Sequence, residues 1–318
     1  MKKALLLFFL KNSPFVAISL FSCCNALAQP EDKSYLKKSN PDKYSHLARF
    51  VPDSKYGSVV SPANLTEALK NPEIYKSARF SASGLTDFPE QLFLFSNLEE
   101  IDISRNNITA LPLRLKEFKN LKELHVNKNK LVSLGHEITS CTQLEVLQIQ
   151  NNPLENISAG LGNMKSLKEI TIGEISSKCA IPAELWNLTG LRKLKITNAN
   201  LTEIPVSIAQ FKQLDALCLT NNAISNIPEE LYSLKNITYI NLGYNKINSI
   251  SPAIKEMANL DYLGIYYNPL ATFPEEITRL KQLSYLSCWK TNISQKEIDE
   301  VREKLPKTKV HNTETDLY

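Results

Sequence analysis

Asp102, Ser104 and His125 are the residues whose types and spacing come nearest to a hydrolytic set. A carboxylate, an imidazole and a hydroxyl brought together make an acid, a base and a nucleophile. Asp102 and His125 share one place in a 23-residue repeat, and Ser104 lies two residues beyond the first of them. The same place also holds Arg79 and Gln148, so the four read equally as a polar ladder on a surface. An acyl-transfer site further needs free backbone donors for an oxyanion, and donors inside a parallel sheet are already bonded. The ladder is the reading adopted, and the chain is not expected to be an enzyme. Four further residues could do chemistry as thiols: Cys141, Cys179, Cys218 and Cys288. Their spacing matches no zinc motif. There is no phosphate-binding loop, no paired catalytic carboxylates and no metal cluster, so neither cofactor nor metal is expected.

The elements that must position these residues come from the repeat. Its units start at Tyr75, Leu98, Leu121, Leu144, Leu167, Leu191, Leu214, Ile237, Leu260 and Leu283. Every interval is 23 residues except Leu167 to Leu191, which is 24. The pattern is L-x-x-L-x-L-x-x-N-x-L-x-x-(L/I/F)-P-x-x-(I/L)-x-x-L. Its fourth and sixth positions are apolar between polar neighbours, the signature of a half-buried strand. Its ninth position is Asn106, Asn129, Asn152, Asn222, Asn245 and Asn268 in six units. A stacked amide there can satisfy backbone groups of a buried turn on the adjacent coil. Its second half carries Pro and then acids, as in Pro228-Glu229-Glu230 and Pro274-Glu275-Glu276, which predicts a short outer helix.

This pattern resembles the leucine-rich repeat family, in the variety with Leu-Pro in the second half of each unit. The resemblance covers Tyr75 to about Ile293 and implies an α/β solenoid. A parallel sheet would line the concave face, with short helices on the convex one. Members of the family are mostly protein-binding modules, and the resemblance implies that role here. Stacked strands advance about 4.8 Å per unit, so cysteines two or three units apart stand about 10 Å or more from each other. That exceeds disulfide reach, and all four read as free thiols. Cys141 and Cys288 fall at core positions, and Cys218 on the outward side of its strand. Triplets such as Asn107-Ile108-Thr109 and Asn292-Ile293-Ser294 read as products of the repeat rather than glycan sites. The fifth unit has Ile175 in place of Asn, and the sixth has Ala199. An altered curvature or a softer segment is expected around Gly173 to Ala180.

Outward positions of the last three units are aromatic. The third position reads Tyr239, Tyr262, Tyr285; the seventh and eighth give Tyr244, Tyr266, Tyr267 and Trp289. Half of the twelve tyrosines are here, while the earlier strands have none after Tyr75. Tyr and Trp offer large contact area with few rotatable bonds. These seven residues are the expected partner-binding surface. The partner is another protein or, alternatively, a cell-surface glycan or peptidoglycan stacked on the rings.

The ends of the chain bear on where it works. Residues 1–28 read as a signal peptide, with Lys2, Lys3, two apolar runs and Ala26-Leu27-Ala28 before Gln29. Leu20-Phe21-Ser22-Cys23 resembles a bacterial lipoprotein box, which would make Cys23 the lipidation site and the anchor to a membrane. Either cut implies export, to the periplasm, the outer membrane or the cell surface. Residues 29–59 read as a polar tether and 60–74 as a cap helix. Units 75–293 follow, then a C-terminal cap over 294–318, opened by the capping box Ser294-Gln295-Lys296-Glu297. The net charge is +4, and removing the three lysines of the first 28 residues lowers it to +1. That is too little to argue for nucleic acid.

Overall fold

The structure, a computed structural model, describes residues 56–313. The residues read as a signal peptide, as a lipidation site (Cys23) and, up to residue 55, as a tether lie outside the described residues, as do the last five of the range read as the C-terminal cap.

One parallel sheet of 12 strands runs the length of the described chain in strict sequence order. Its strands are β1 (Val59–Val60), β2 (Ser77–Arg79), β3 (Glu100–Asp102), β4 (Glu123–His125), β5 (Val146–Gln148) and β6 (Glu169–Gly173). They continue as β7 (Lys193–Thr197), β8 (Ala216–Cys218), β9 (Tyr239–Asn241), β10 (Tyr262–Gly264), β11 (Tyr285–Ser287) and β12 (Lys309–His311). Each pair is in register one unit apart, as in Ile101↔Leu124 and Leu263↔Leu286. The fourth and sixth positions of the repeat are shut from solvent throughout, so alternation within each strand sets one continuous core behind the sheet. The fold is an α/β leucine-rich-repeat solenoid with the sheet on the concave face.

Outer segments after each Pro are 3-10 turns of five residues rather than α-helices, as in Glu229–Ser233 and Glu275–Arg279. The reason lies in the spacing. Leu231, Leu234 and Ile237 recur every three residues and are all buried. Three residues per turn is the 3-10 period, so all three point inward. Pro228 and Pro274 stand at the N-cap with extended backbone. Ser158 and Ser251 take that place in two units, where their hydroxyls accept from Gly160 N and Ala253 N at 3.2 and 3.1 Å.

Asparagines tie the coils together. Asn129 Nδ2 donates to Val126 O in its own unit and to Ile103 O in the one before, both at 3.0 Å. Its Oδ1 accepts from Ile108 N at 3.0 Å. Asn245 and Asn268 repeat the arrangement. Where Ile175 and Ala199 interrupt the series, the strands lengthen. β6 and β7 pair over five residues, as far as Gly173↔Thr197. Main-chain pairing there takes over part of what the amide supplies elsewhere.

At the N-terminal end the helical stretch is short. α1 covers only Leu65–Ala68, followed by a 3-10 turn at Pro72–Ile74. β1 pairs with β2 through Val59↔Ser77, so the sheet already begins inside the range read as tether. At the other end α2 (Gln295–Lys304) buries Ile298 and Val301 over the last coil. Ser294 Oγ accepts from Glu297 N at 3.3 Å. The other half of the expected capping box is absent, because the Glu297 carboxylate accepts from Thr272 Oγ1 at 2.7 Å and from Phe273 N on the preceding coil. No described helix is long and apolar enough to cross a membrane.

Candidate functional site

The concave face is built from the third, fifth, seventh and eighth positions of successive units. Strand register places Tyr239, Tyr262 and Tyr285 opposite one another on β9, β10 and β11. Their rings form a column. Tyr239 and Tyr262 stack with centroids 4.5 Å apart, and Tyr262 and Tyr285 are tilted at 6.5 Å. His311 of β12 continues it, stacked on Tyr285 at 5.8 Å, and Lys309 Nζ stands 5.4 Å from the same ring. A second column stands at the strand ends. Tyr244 and Tyr267 stack at 4.1 Å, and Trp289 meets Tyr267 edge-on at 4.6 Å. Tyr266 joins them, stacked on Trp289 at 5.9 Å and edge-on to Tyr244 at 5.6 Å. The seven aromatic residues singled out in the sequence therefore make two adjoining ring sets, bridged by Asn241 between Tyr239 and Tyr266.

Within that group the rings play different parts. Tyr239, Tyr244, Tyr262, Tyr267, Tyr285 and Trp289 are half-buried. Tyr266 is only 7% exposed, so it is a floor of the surface and not an outward platform. Two glycines explain its position. A Cβ on Gly243 would stand 2.4 Å from Tyr266 Cζ, so the ring can lie over β9 only because the seventh position there is bare. A Cβ on Gly264 would meet Asn241 Oδ1 at 2.8 Å and Tyr262 Cε1 at 2.9 Å. Asn241 sits beneath, donating from Nδ2 to Tyr239 OH at 3.2 Å and to Tyr266 OH at 3.3 Å. Its Oδ1 accepts from Gly243 N at 3.1 Å. One buried amide thus fixes two hydroxyls of the aromatic group.

The N-terminal half of the same face is charged and polar. Glu100 and Glu123 occupy the third position on β3 and β4 and are buried. Ser77 Oγ donates to Glu100, and Arg79 Nε lies 3.4 Å from its carboxylate. Tyr56, ahead of the first strand, reaches across to β4, where its hydroxyl donates to Glu123 Oε1 at 3.1 Å.

The residues that could have formed a hydrolytic set are neighbours without being joined. Asp102 Oδ1 accepts from Ser104 N at 2.9 Å, and Ser104 Oγ pairs with Ser81 Oγ at 3.0 Å. Neither ring nitrogen of His125 makes a hydrogen bond among the described residues. Nε2 lies 3.5 Å from Glu123 Oε2. Burial opposes a charge on this imidazole, yet Glu123, Asp102 and Gln148 around it outweigh burial and hold its pKa above the usual histidine value. The ladder of Arg79, Asp102, His125 and Gln148 is what the register makes.

All four cysteines of the repeats are buried thiols outside any disulfide. Cys218 faces the concave side as its strand position requires, but it is covered, with Sγ 3.8 Å from Thr220 Oγ1. Burial pushes the Cys141 thiol up to about 11, which leaves almost no thiolate at neutral pH. Among the described residues no group of three or more His, Cys, Asp or Glu could hold a metal ion.

Sequence reasoning missed one feature of the face. The eighth position of every unit has left-handed backbone, with φ between 48° and 58° from Ala82 to Lys290. Arg105, Lys128, Glu174, Tyr244 and Tyr267 stand there, and none of these residue types announces such a conformation.

A family model described as a leucine-rich repeat region matches residues 90–200, and a second leucine-rich repeat model matches 189–247 and 212–270. No curated protein sequence matches the chain. Solved structures are similar in fold. The plant peptide hormone receptor RGFR1 in complex with RGF2 has a TM-score of 0.62 at 23% identity, over 78% of this chain and 41% of that one. An internalin, InlF, from Listeria monocytogenes has 0.58 at 17% identity, over 79% and 89%. The Arabidopsis receptor kinase HAESA ectodomain in complex with an IDA peptide hormone has 0.53 at 24% identity, over 67% and 42%. The chain thus spans about two fifths of the two plant receptors and most of the internalin.

Proposed function

Because this chain belongs to the leucine-rich-repeat family, we propose that it binds a protein partner on its concave face, through the aromatic rows of the last three units. The observation that carries this reading is the pair of adjoining aromatic rows, Tyr239, Tyr262 and Tyr285 beside Tyr244, Tyr266, Tyr267 and Trp289. The scaffold does not require it. The same third position holds Val146, Glu169, Lys193 and Ala216 in earlier strands, and the sheet continues through them in the same register. Rings of this kind give little to an isolated solenoid and much to an interface that covers them. Two of the similar plant structures hold peptide hormones, which supports a protein or peptide ligand as the class. The role is binding, with no catalytic step assigned to Asp102, Ser104 or His125.

The place of action belongs to the same reading. The chain works outside the cytoplasm, either cut before Gln29 or held to a membrane by an acylated Cys23. The intact mass of protein purified from its own cell separates the two, and a retained Met1 contradicts both.

Affinity capture on the purified chain tests the function. A protein retained by the native chain and lost from Tyr262→Ala supports the proposal. Retention of polysaccharide or peptidoglycan instead, unaffected by salt, replaces the protein by a glycan stacked on the same rings.

A further inference from the structure

The chain enters the fold along the concave face. Ser58 O accepts from Lys76 N at 3.2 Å and from Ser77 N at 3.4 Å, at the start of β2. Two residues ahead of it, the Tyr56 hydroxyl rests on Glu123 of β4, and Lys122 Nζ stands 5.7 Å from the Tyr56 ring. Tyr56 therefore points along the third-position row, two strands further in than Ser58. That row is closed at the end where the chain enters. Ser77, Glu100 and Glu123 are buried, whereas Val146, Glu169 and Lys193 at the same position are half-buried. Further along, the row becomes Tyr239, Tyr262 and Tyr285, which are half-buried too.

Residues 29–55 lie ahead of this anchor. From Glu123 the register leads through Val146, Glu169, Lys193 and Ala216 to Tyr239. Those strand steps of about 4.8 Å add to roughly 24 Å, which about seven extended residues cover at about 3.3 Å each. Tyr262, one step further, takes about nine. Counted back from Tyr56, Arg49 falls at Tyr239 and Leu47 at Tyr262, with Phe50 next to them. This is the most apolar stretch of an otherwise polar segment: Leu47, Ala48, Phe50 and Val51 surround Arg49, and Pro52 follows. A proline biases the residue before it to extended backbone, as the reach requires. The side chains also match the row. Phe50 and Leu47 gain by covering ring area, and a guanidinium gains by lying against a tyrosine ring.

We propose that residues 47–50 of this chain occupy the Tyr239–Tyr262 row as an internal ligand, and that the protein partner binds by displacing them. This deepens the reading of the aromatic rows as the partner's site and rests on it. Anchoring at Tyr56 keeps the segment near the row at an effective concentration on the order of millimolar, so weak contacts suffice to cover the rings. A partner with tighter contacts still removes it. Its apparent affinity is lowered by the fraction of molecules in which the row is covered. Until then the cover shields an aromatic patch that would otherwise take unselective contacts.

Two measurements on the full purified chain test the internal ligand without the partner. In the first, the photoreactive analogue p-benzoylphenylalanine replaces Phe50, the sample is irradiated at several protein concentrations, and attachment sites are mapped by mass spectrometry. The expected attachment is within one molecule, at or beside Tyr239 and Tyr262, with a yield independent of concentration. In the second, trypsin cleavage after Arg49 is timed in wild type and in the double variant Tyr239→Ala, Tyr262→Ala, with melting curves alongside. Cleavage tracks the population of the open form, so it is expected about fivefold or more faster in the double variant. Attachment elsewhere or only between molecules, or equal cleavage rates in two folded proteins, overturns the proposal. Where the double variant unfolds, the attachment map decides alone. A negative map with a captured partner that is lost from Tyr262→Ala overturns the internal ligand and leaves the partner's site standing. A positive map with a partner indifferent to Tyr262→Ala keeps the internal ligand and overturns its displacement by the partner.

Discussion

Gly243 and Tyr266 show how one residue of the site depends on another a unit away. The bare seventh position of β9 holds the ring of Tyr266, and any side chain there meets it. Gly243→Ala should displace the ring and lower stability by about 1–3 kcal/mol, a shift of several degrees in melting temperature. Partner binding should weaken with it. Unchanged melting and binding would mean that Tyr266 is not set by this contact. Glu174 gives a pH test. Burial raises its folded pKa above the usual carboxylate value of 4.5. The group therefore favours the folded state fully only below about that pH, and loses this contribution as pH rises through its folded value. Glu174→Gln should raise the melting temperature at pH 7 and leave it nearly unchanged at pH 4. A lower melting temperature at pH 7 would show that the carboxylate is well paired in the free protein. The aromatic positions were legible in the sequence because strand alternation alone decides which residues face outward. The burial of Tyr266 and Cys218 was not, since it depends on neighbours in other units. The left-handed row was hidden because Arg105, Lys128 and Glu174 give no glycine-like sign of it.

At the level of elements, the repeat spacing carried almost everything. Strand positions and the amide series at Asn106, Asn129 and Asn152 follow from period and residue type. The outer turns were legible as short helices, and their 3-10 form lies in the three-residue spacing of Leu231, Leu234 and Ile237. A second amide set was not visible: Asn97, Asn236 and Asn259 each donate to a carbonyl of the preceding coil at 2.7 or 2.8 Å. These residues sit just before a unit start, where Asn alternates with other polar types. Around the interrupted amide series, the five-residue pairing of β6 with β7 should slow hydrogen exchange at Ile172 and Glu174, and the exposed Ser177 and Lys178 should exchange fast. Equal rates across both stretches would contradict that division. The ends of the stack give a contrast. Removing 294–318 strips Ile298, Val301 and Leu305 from the last coil, and should cause aggregation or a fall of roughly ten degrees or more in melting temperature. Removing 29–55 should change little, whereas a cut that extends through Val59 also takes Tyr56 from Glu123 and β1 from the sheet. Equal effects from the 294–318 and 29–55 deletions would contradict the role of α2 as a cap.

As a whole, the molecule is a stack in which each coil packs on its neighbours, Tyr56 with its reach to Glu123 being an exception, so a surface can be changed in one half while the other half folds as before. That independence explains a face that is charged over β3 and β4 and aromatic from β9 to β11. It also makes the central claim directly measurable. The captured partner is titrated calorimetrically into wild type, Tyr262→Ala, Trp289→Ala, and, several units away on the same side, Lys122→Ala and Gln148→Ala. Interface Tyr and Trp commonly lose about 2 kcal/mol or more on truncation, roughly thirtyfold in affinity. The predicted result is a loss of that size for Tyr262→Ala and Trp289→Ala, with melting temperatures near that of the wild type and much smaller losses for the other two. Normal binding by both aromatic variants, or unfolding of both, would contradict the assignment of this face as the partner's site.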